Sequence, residues 1–288
     1  MKKVIAIALS ALMICGVATG CAPASENGGT DTSGGDKITV ISREEGSGTR
    51  GAFVELFGIE EDGADKTTEE AIIATKTDVV LTQVMGDKNA IGYLSLGSLS
   101  DKVKALKLDG VEATAENVKS GDYKAARPFN IVTNGEPDGL TKDFIDFIMS
   151  SEGQKVVEDN GYISVNDSAT PYAGTKPEGK ITVAGSSSVT PVMEKLAEAY
   201  KGINPAGVIE VQQTDSSAGI QATREGTAQI GMASRELKDS EKDLNATVIA
   251  QDGIAIVVNN ENNLSDISSE DVAAIFKGET TTWDKVGA

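Results

Sequence analysis

The sequence predicts an α/β protein, and three observations carry that prediction. Hydrophobic residues make up 39% of the chain and aromatics only 4%, so the core has to be built from Val, Ile, Leu and Ala. Apolar alternating runs lead repeatedly through Ser- and Gly-rich turns into stretches of helical spacing, which is the signature of strand–turn–helix units. With 288 residues there is enough chain for two domains of ordinary size, each with its own core.

The elements follow in order. Ile38-Thr39-Val40-Ile41 alternates as a strand, and Gly51 to Phe57 continues as a helix. A charged loop over 58–66 precedes a helix predicted over 67–85, capped by Thr67 or Thr68 with Glu70 in reach. Asn89 to Leu96 reads as a short buried strand, Val103 to Leu108 as another, and Thr114 to Lys119 as a short helix. After Arg127-Pro128 come a strand over 129–133, a turn over 135–139, and helices over 141–149 and 151–159. The second helix is stopped by Asn160-Gly161. Residues 166–179, with two prolines, two glycines and mostly polar neighbours, read as an exposed connector.

A second unit then begins. Lys180-Ile181-Thr182-Val183 echoes Lys37 to Val40, and 184–188 turns into a helix whose apolar face is Val192, Met193, Leu196, Ala197 and Tyr200. Val208 to Val211 is a strand that runs into Ser- and Gly-rich 214–220 ahead of another helix. Further strands are read over 230–234, 247–250 and 253–258, and a capped amphipathic helix over 268–276.

Composition removes several function classes. The formal charge of -18, from 26 basic and 44 acidic residues, argues against nucleic acid or an anionic membrane surface as partner. It leaves an anionic ligand open, because distant charge is screened beyond about 8 Å at physiological ionic strength. The chain has no histidine, which removes Ser-His-Asp and Cys-His catalysis and the commonest metal ligand. Its two cysteines, Cys15 and Cys21, leave no thiol for a disulfide framework or a metal site in the folded part. No metal and no cofactor are expected.

Those cysteines belong to an N-terminal segment of its own kind. Lys2 and Lys3 precede an apolar run from Val4 to Val17, too short for a comfortable membrane span, and Ala18-Thr19-Gly20-Cys21 follows. Residues 1–20 read as a signal peptide. Cys21 resembles the lipidated cysteine of a bacterial lipoprotein box, although Ala18 stands where that box usually has Leu; a plain signal-peptidase site is the alternative. Residues 21–36 are Gly-, Ser-, Thr- and Asp-rich and read as a flexible tether. The mature protein is then exported and lipid-anchored on the outer face of the cytoplasmic membrane.

One stretch carries the clearest chemistry. Arg43-Glu-Glu-Gly-Ser-Gly-Thr-Arg50 turns a strand into a helix start, where backbone N–H groups lack partners and the helix dipole adds positive potential. Ser47 and Thr49 add hydroxyl donors and Arg43 a charged fork, which suits a small oxyanion. A single such turn is also what an ordinary capped helix looks like. Four strands of this chain, however, end in Ser-, Gly- and Thr-rich loops, and ligands of open α/β sheets bind at the carboxyl ends of strands. The recurrence points to one oxyanion site between two lobes.

Four motifs then match a family. Ile181-Thr-Val-Ala-Gly-Ser-Ser-Ser-Val-Thr-Pro191, Thr214-Asp-Ser-Ser-Ala-Gly219, Ile230-Gly-Met-Ala-Ser-Arg-Glu236 and Ile41-Ser-Arg-Glu-Glu-Gly-Ser-Gly-Thr-Arg50 resemble the phosphate-binding proteins of ABC-type phosphate importers. The resemblance covers nearly all of residues 37–288. It implies a two-lobed periplasmic-binding-protein-like (type II) fold with the ligand in the interlobe cleft. The expected lobes are 37–127 plus 261–288, and 128–260.

The order departs from the family, in which the stretch like 180–288 comes first and the stretch like 37–165 follows. The chain therefore reads as circularly permuted, with 166–179 joining what are usually the two ends; a fusion or partial duplication would give the same order.

Carried over by position, the phosphate-binding groups are Arg43, Ser47, Gly48, Thr49, Ser187, Ser188, Ser216 and Ser234, with Glu45 expected to pair with and orient the arginine. Asp215 stands where the family usually has glycine, and Ser234 where some members have an aspartate acceptor for the phosphate hydroxyl. That leaves Glu45, Asp215 and Glu236 as acceptor candidates, with Asp215 or Glu236 expected. The implied partners are inorganic phosphate and the membrane permease subunits of the importer, the implied state a monomer, and the protein not an enzyme. The alternatives are another tetrahedral oxyanion such as sulfate or molybdate, a serine-dependent hydrolase or phosphatase, or a surface protein whose anion site has decayed. The hydrolase lacks both histidine and a Gly-x-Ser-x-Gly elbow.

Overall fold

The computed structural model describes residues 35–287, so the predicted signal peptide, Cys21 and nearly all of the tether lie outside the described residues. The main sheet is built from β1 (Thr39–Arg43), β2 (Ile72–Ala74), β3 (Ala90–Ser95), β4 (Ala126–Thr133), β5 (Gly179–Ser186), β6 (Gly207–Thr214), β7 (Ile230–Ala233) and β8 (Asn245–Val258). These lie side by side in the order β6-β5-β7-β4-β8-β3-β1-β2, with the short strand Lys104–Ala105 also paired to β8. The flanks are parallel (β6-β5-β7 and β3-β1-β2), and the middle pairs are antiparallel. Eight helices accompany the strands among the described residues: α1 (Gly48–Leu56), α2 (Thr77–Gly86), α3 (Ala115–Ser120), α4 (Gly139–Ile148), α5 (Ser151–Asp159), α6 (Thr190–Ile203), α7 (Ser216–Arg224) and α8 (Ser269–Lys277). None of them is long and apolar enough to cross a membrane.

β8 divides the molecule. Its residues 245–253 pair with β4, and 254–258 pair with β3. The packing changes at the same place. Ile254, Ile256 and Val258 join a first core with Ile38, Phe53, Tyr93 and Phe276, while Ala255 and Val257 face Ile41, Val80 and Val84 on the other side. That alternation is the two-residue period of a strand buried on both faces. Within this core Phe53 stacks on Tyr93 with ring centroids 3.8 Å apart. Ile249 and Ala250 belong to a second core with Phe129, Phe144, Phe147, Val183, Met193 and Tyr200. Residues 254–258, expected in the second lobe, therefore pack in the first, because one long strand runs through both. The strands expected at 247–250 and 253–258 are that single strand, bulged between Val248 and Ala250.

Two other expectations are corrected. The helix read over 67–85 begins only at Thr77. Upstream, Asp65 Oδ1 accepts from Thr67 N and Oγ1 at 2.8 and 2.6 Å, and Ile72–Ala74 pairs parallel with β1. Two adjacent β-branched residues beside an open sheet edge favour a strand over a helix. The run Val103 to Leu108 is two short pieces: Lys104–Ala105 pairs with β8, and Lys107–Leu108 pairs with Asp266–Ile267.

The connector 166–179 is held at several points. Asp143 on α4 accepts from Tyr172 and Tyr200 hydroxyls at 2.5 and 2.6 Å and from Thr175 N at 2.7 Å, and Glu152 accepts from Tyr172 N at 2.8 Å. At the far side of the first half, Lys37 and Thr282 form a bridge. Ile38 N donates to Thr281 O at 2.8 Å, and Trp283 N to Asp36 O at 3.0 Å.

Candidate oxyanion site between the two halves

Four helix starts meet where the two halves of the sheet face each other. Ser47 caps α1, its hydroxyl accepting from Arg50 N at 3.3 Å, and Asp215 caps α7, accepting from Ala218 N at 2.8 Å. The cap positions of α2 and α6, Lys76 and Val189, make no side-chain cap bond. Helix starts of this kind direct N–H donors and positive potential into one volume.

Arg43, the last residue of β1, is 1% exposed. Its guanidinium is gripped on one edge by Glu44, with Nε to Oε2 at 2.8 Å and Nη2 to Oε1 at 2.6 Å. The same Nη2 donates to Ser187 Oγ at 2.9 Å across the interface, and Nη1 reaches Thr77 Oγ1 at 3.3 Å. Its backbone is fixed as well: Tyr93 Oη accepts from Arg43 N at 3.2 Å, and Arg50 Nη1 donates to Arg43 O at 2.9 Å.

The hydroxyls close into a network. Thr77 Oγ1 shares hydrogen bonds with Ser187 and Ser188 at 3.3 and 3.1 Å, and Thr49 Oγ1 with Ser188 at 2.8 Å. Ser186 Oγ donates to Ser234 Oγ at 2.9 Å, and Ser234 N donates to Ser216 Oγ at 3.2 Å. All of these hydroxyl residues are buried. A cavity of about 330 Å³ adjoins Thr77 and Ser187 between the starts of α2 and α6.

Two glycines bring the halves this close. A Cβ on Gly48 would lie 2.3 Å from Ser216 Oγ and 2.8 Å from Ser234 Oγ, and one on Gly46 would lie 2.3 Å from Asp215 Oδ1. Ser217 N donates to Gly46 O at 3.2 Å, a main-chain bond from one half to the other.

The structure thus brings together Arg43, Ser47, Gly48, Thr49, Ser187, Ser188, Ser216 and Ser234. It corrects the carboxylates. Glu44, not Glu45, holds the arginine, and Glu45 is exposed. The turn at 45–46 lets the residue directly after Arg43 fold back along its guanidinium, so Glu45 points away. Glu236 is exposed too, because the neighbouring Arg235 turns inward to a bidentate pair with Glu241 at 2.7 and 2.9 Å. Asp215 is half-buried against Gly46 at the interface.

Sequence reasoning missed Thr77, which the helix misread over 67–85 hid, and Ser186, which looked like part of the turn. The Glu44-Glu45 doublet gave no internal sign of which carboxylate would face the arginine. Among the described residues no group of His, Cys, Asp and Glu is arranged to hold a metal ion. An arginine, hydroxyls and helix starts without a metal make an arrangement for charge-assisted binding of an anion.

Two halves that meet at a donor-lined interface, with strands running between them, define a two-lobed binding protein. The PBP superfamily domain matches residues 26–152 and 170–288. The phosphate-binding protein PstS 2 of Streptococcus agalactiae is 51% identical over 290 residues, covering 98% of this chain and 97% of that one. PstS 2 of Streptococcus pneumoniae is 51% identical over 254 residues, 86% of this chain and 87% of its own. The crystal structure of a phosphate-binding protein of a phosphate ABC transporter from Streptococcus pneumoniae superposes with a TM-score of 0.71 at 51% identity, covering 87% of this chain and all of that one. PstS of Bacillus subtilis is 40% identical over 144 residues, 49% of this chain and 45% of its own. The chain belongs to the PBP superfamily and, within it, to the family of these phosphate-binding proteins.

Proposed function

We propose that the protein binds inorganic phosphate between its lobes and delivers it to the permease of an ABC-type phosphate importer. The reading rests on one observation above all. A fully buried arginine, already neutralised by Glu44, spends its remaining donors on Ser187 and Thr77 from opposite lobes. A tetrahedral dianion entering there would take over Arg43, Thr77, Thr49, Ser187, Ser188, Ser216 and Ser234 as donors. Gly48 would contribute a helix-start N–H group, and Ser47, whose own N–H is held by Glu44 O at 3.0 Å, its hydroxyl. Each bond would be charge-assisted and strengthened by the exclusion of water.

Delivery requires no covalent step, and the protein is read as a carrier rather than an enzyme. It works outside the cytoplasmic membrane as a monomer, anchored through a lipid on Cys21. Hydroxyls donate to sulfate as readily as to phosphate, so selection needs an acceptor for the phosphate proton. Asp215, half-buried at the interface, is the carboxylate that remains for this role.

Calorimetry of the purified protein with phosphate, sulfate and molybdate tests both points. Tight binding of phosphate is expected, with selection against sulfate that Asp215→Asn weakens. Sulfate or molybdate binding more tightly than phosphate would overturn the ligand, and unchanged selectivity in Asp215→Asn would overturn the acceptor.

A further inference from the structure

The chain passes between the two cores in β4 and β8, and at that crossing Arg127 stands opposite Asp252 in the strand register. On one side Ala126 and Ile254 pack in the first core; on the other Phe129 and Ala250 pack in the second. Arg127 is 4% exposed and Asp252 fully buried. A single bond joins them, Arg127 Nη2 to Asp252 Oδ2 at 3.1 Å. Asp252 Oδ1 accepts from Ser95 Oγ at 2.9 Å and from Gly97 N at 3.4 Å, both at the end of β3 in the first half.

A third segment crosses beside the pair. Ile163 and Gln251 exchange backbone bonds of 3.0 and 2.8 Å, and Tyr162 lies so close to Gly97 that a Cβ there would be 2.2 Å from its ring.

Such a pair is a poor device for stability. Burial disfavours both charges, pushing the Asp252 carboxyl up and the Arg127 guanidinium down, and one long bond returns little of that cost. Among the described residues, Arg127 Nε and Nη1 and the Tyr162 hydroxyl also find no hydrogen-bond partner. The guanidinium carbon sits 5.4 Å over the Phe129 ring, which satisfies its face but not its edge. A swing of the lobes about this crossing would move the Ser95–Gly97 turn and Tyr162 relative to the pair, and would open the unmet N–H groups to water.

We propose that Arg127 and Asp252 are the positioning pair of the hinge, biasing the ligand-free protein toward an opened arrangement from which anion binding draws it closed. They act through the lobes and touch no ligand. The inference rests on the reading of the interface as a closing anion site. Apparent affinity is the intrinsic affinity scaled by the closed fraction, so removing the bias should tighten binding.

Two double variants test this, R127M/D252L and the polar R127Q/D252N, which keeps the shape if the apolar one fails to fold. Small-angle X-ray scattering without ligand should give a smaller radius of gyration for the variants than for the parent. Calorimetry should show phosphate bound several-fold more tightly. A purely structural pair would change melting temperature alone; unchanged radius and affinity, or weaker binding by a folded variant, would overturn the proposal. The ligand-free radius needs no phosphate, so a wrong ligand leaves that readout intact.

Discussion

Arg43 is held by five neighbours before any ligand arrives: Glu44 on one edge, Thr77 and Ser187 at the other, Tyr93 on its backbone N–H and Arg50 on its carbonyl. The Glu44 pair is a means of orientation more than of stability, since a nearly buried ion pair returns little over its desolvation. Two adjacent glutamates allow a clean comparison. Glu44→Gln keeps the shape but frees the guanidinium to reorient, and should weaken phosphate binding about tenfold or more, the ~1.5 kcal/mol of one charged hydrogen bond. Glu45→Gln, on an exposed side chain, should leave affinity within twofold. Equal effects from the two, measured by calorimetry, would show that the doublet acts only through net charge.

At the scale of elements, the site depends on how closely the start of α1 docks on the start of α7. Gly48 has an ordinary helical backbone, so its smallness serves the approach and not the turn. Gly48→Ala should leave each lobe folded, with a melting temperature within a few degrees of the parent. It should keep the lobes apart, seen as a larger radius of gyration with phosphate and a loss of affinity of about 100-fold. An unchanged radius with ligand would mean that the lobes adjust around the methyl.

The elements most legible in the sequence were those with a clean period and a cap. Thr190–Ile203 has its apolar face on Val192, Met193, Leu196 and Tyr200, and Ser268 caps α8 as expected. Less legible were features set by partners distant in the chain. Ile72–Ala74 is a strand because β1 lies beside it, and 245–258 is one strand because two cores share it. The residues that meet at the interface, Thr77 apart, stand in motifs that the resemblance singles out. Which carboxylate faces the arginine, and the participation of Thr77, are properties of the assembled interface.

At the scale of the whole molecule, residues 36–38 pair with 281–283, while 166–179 is pinned by Asp143 and Glu152. We propose that the order of the two halves is a circular permutation of the usual one. The relative from Bacillus subtilis, matched over about half of each chain, is consistent with such a reordering. A chain rebuilt to run from 177 to 286, then through a short linker from 36 to 170, should fold and bind phosphate with the parent's affinity. Failure to fold would show that the 166–179 strap is an obligatory part of the second lobe.

The seam at residues 36–38 and 281–283 also holds the protein's single tryptophan. Trp283 Nε1 donates to Asn89 O at 3.1 Å, just before β3 begins, whereas Arg43 and Ser95 lie at the opposite ends of their strands. Six residues of β3 put about 20 Å between the indole and the anion site. Intrinsic tryptophan emission is thus a private gauge of the seam. It should stay flat through a phosphate titration that calorimetry records in full, and in denaturant it should report when this corner parts. Tyrosine, through the Tyr93 hydroxyl that touches Arg43 N and Ser42, is the native chromophore placed to sense the ligand.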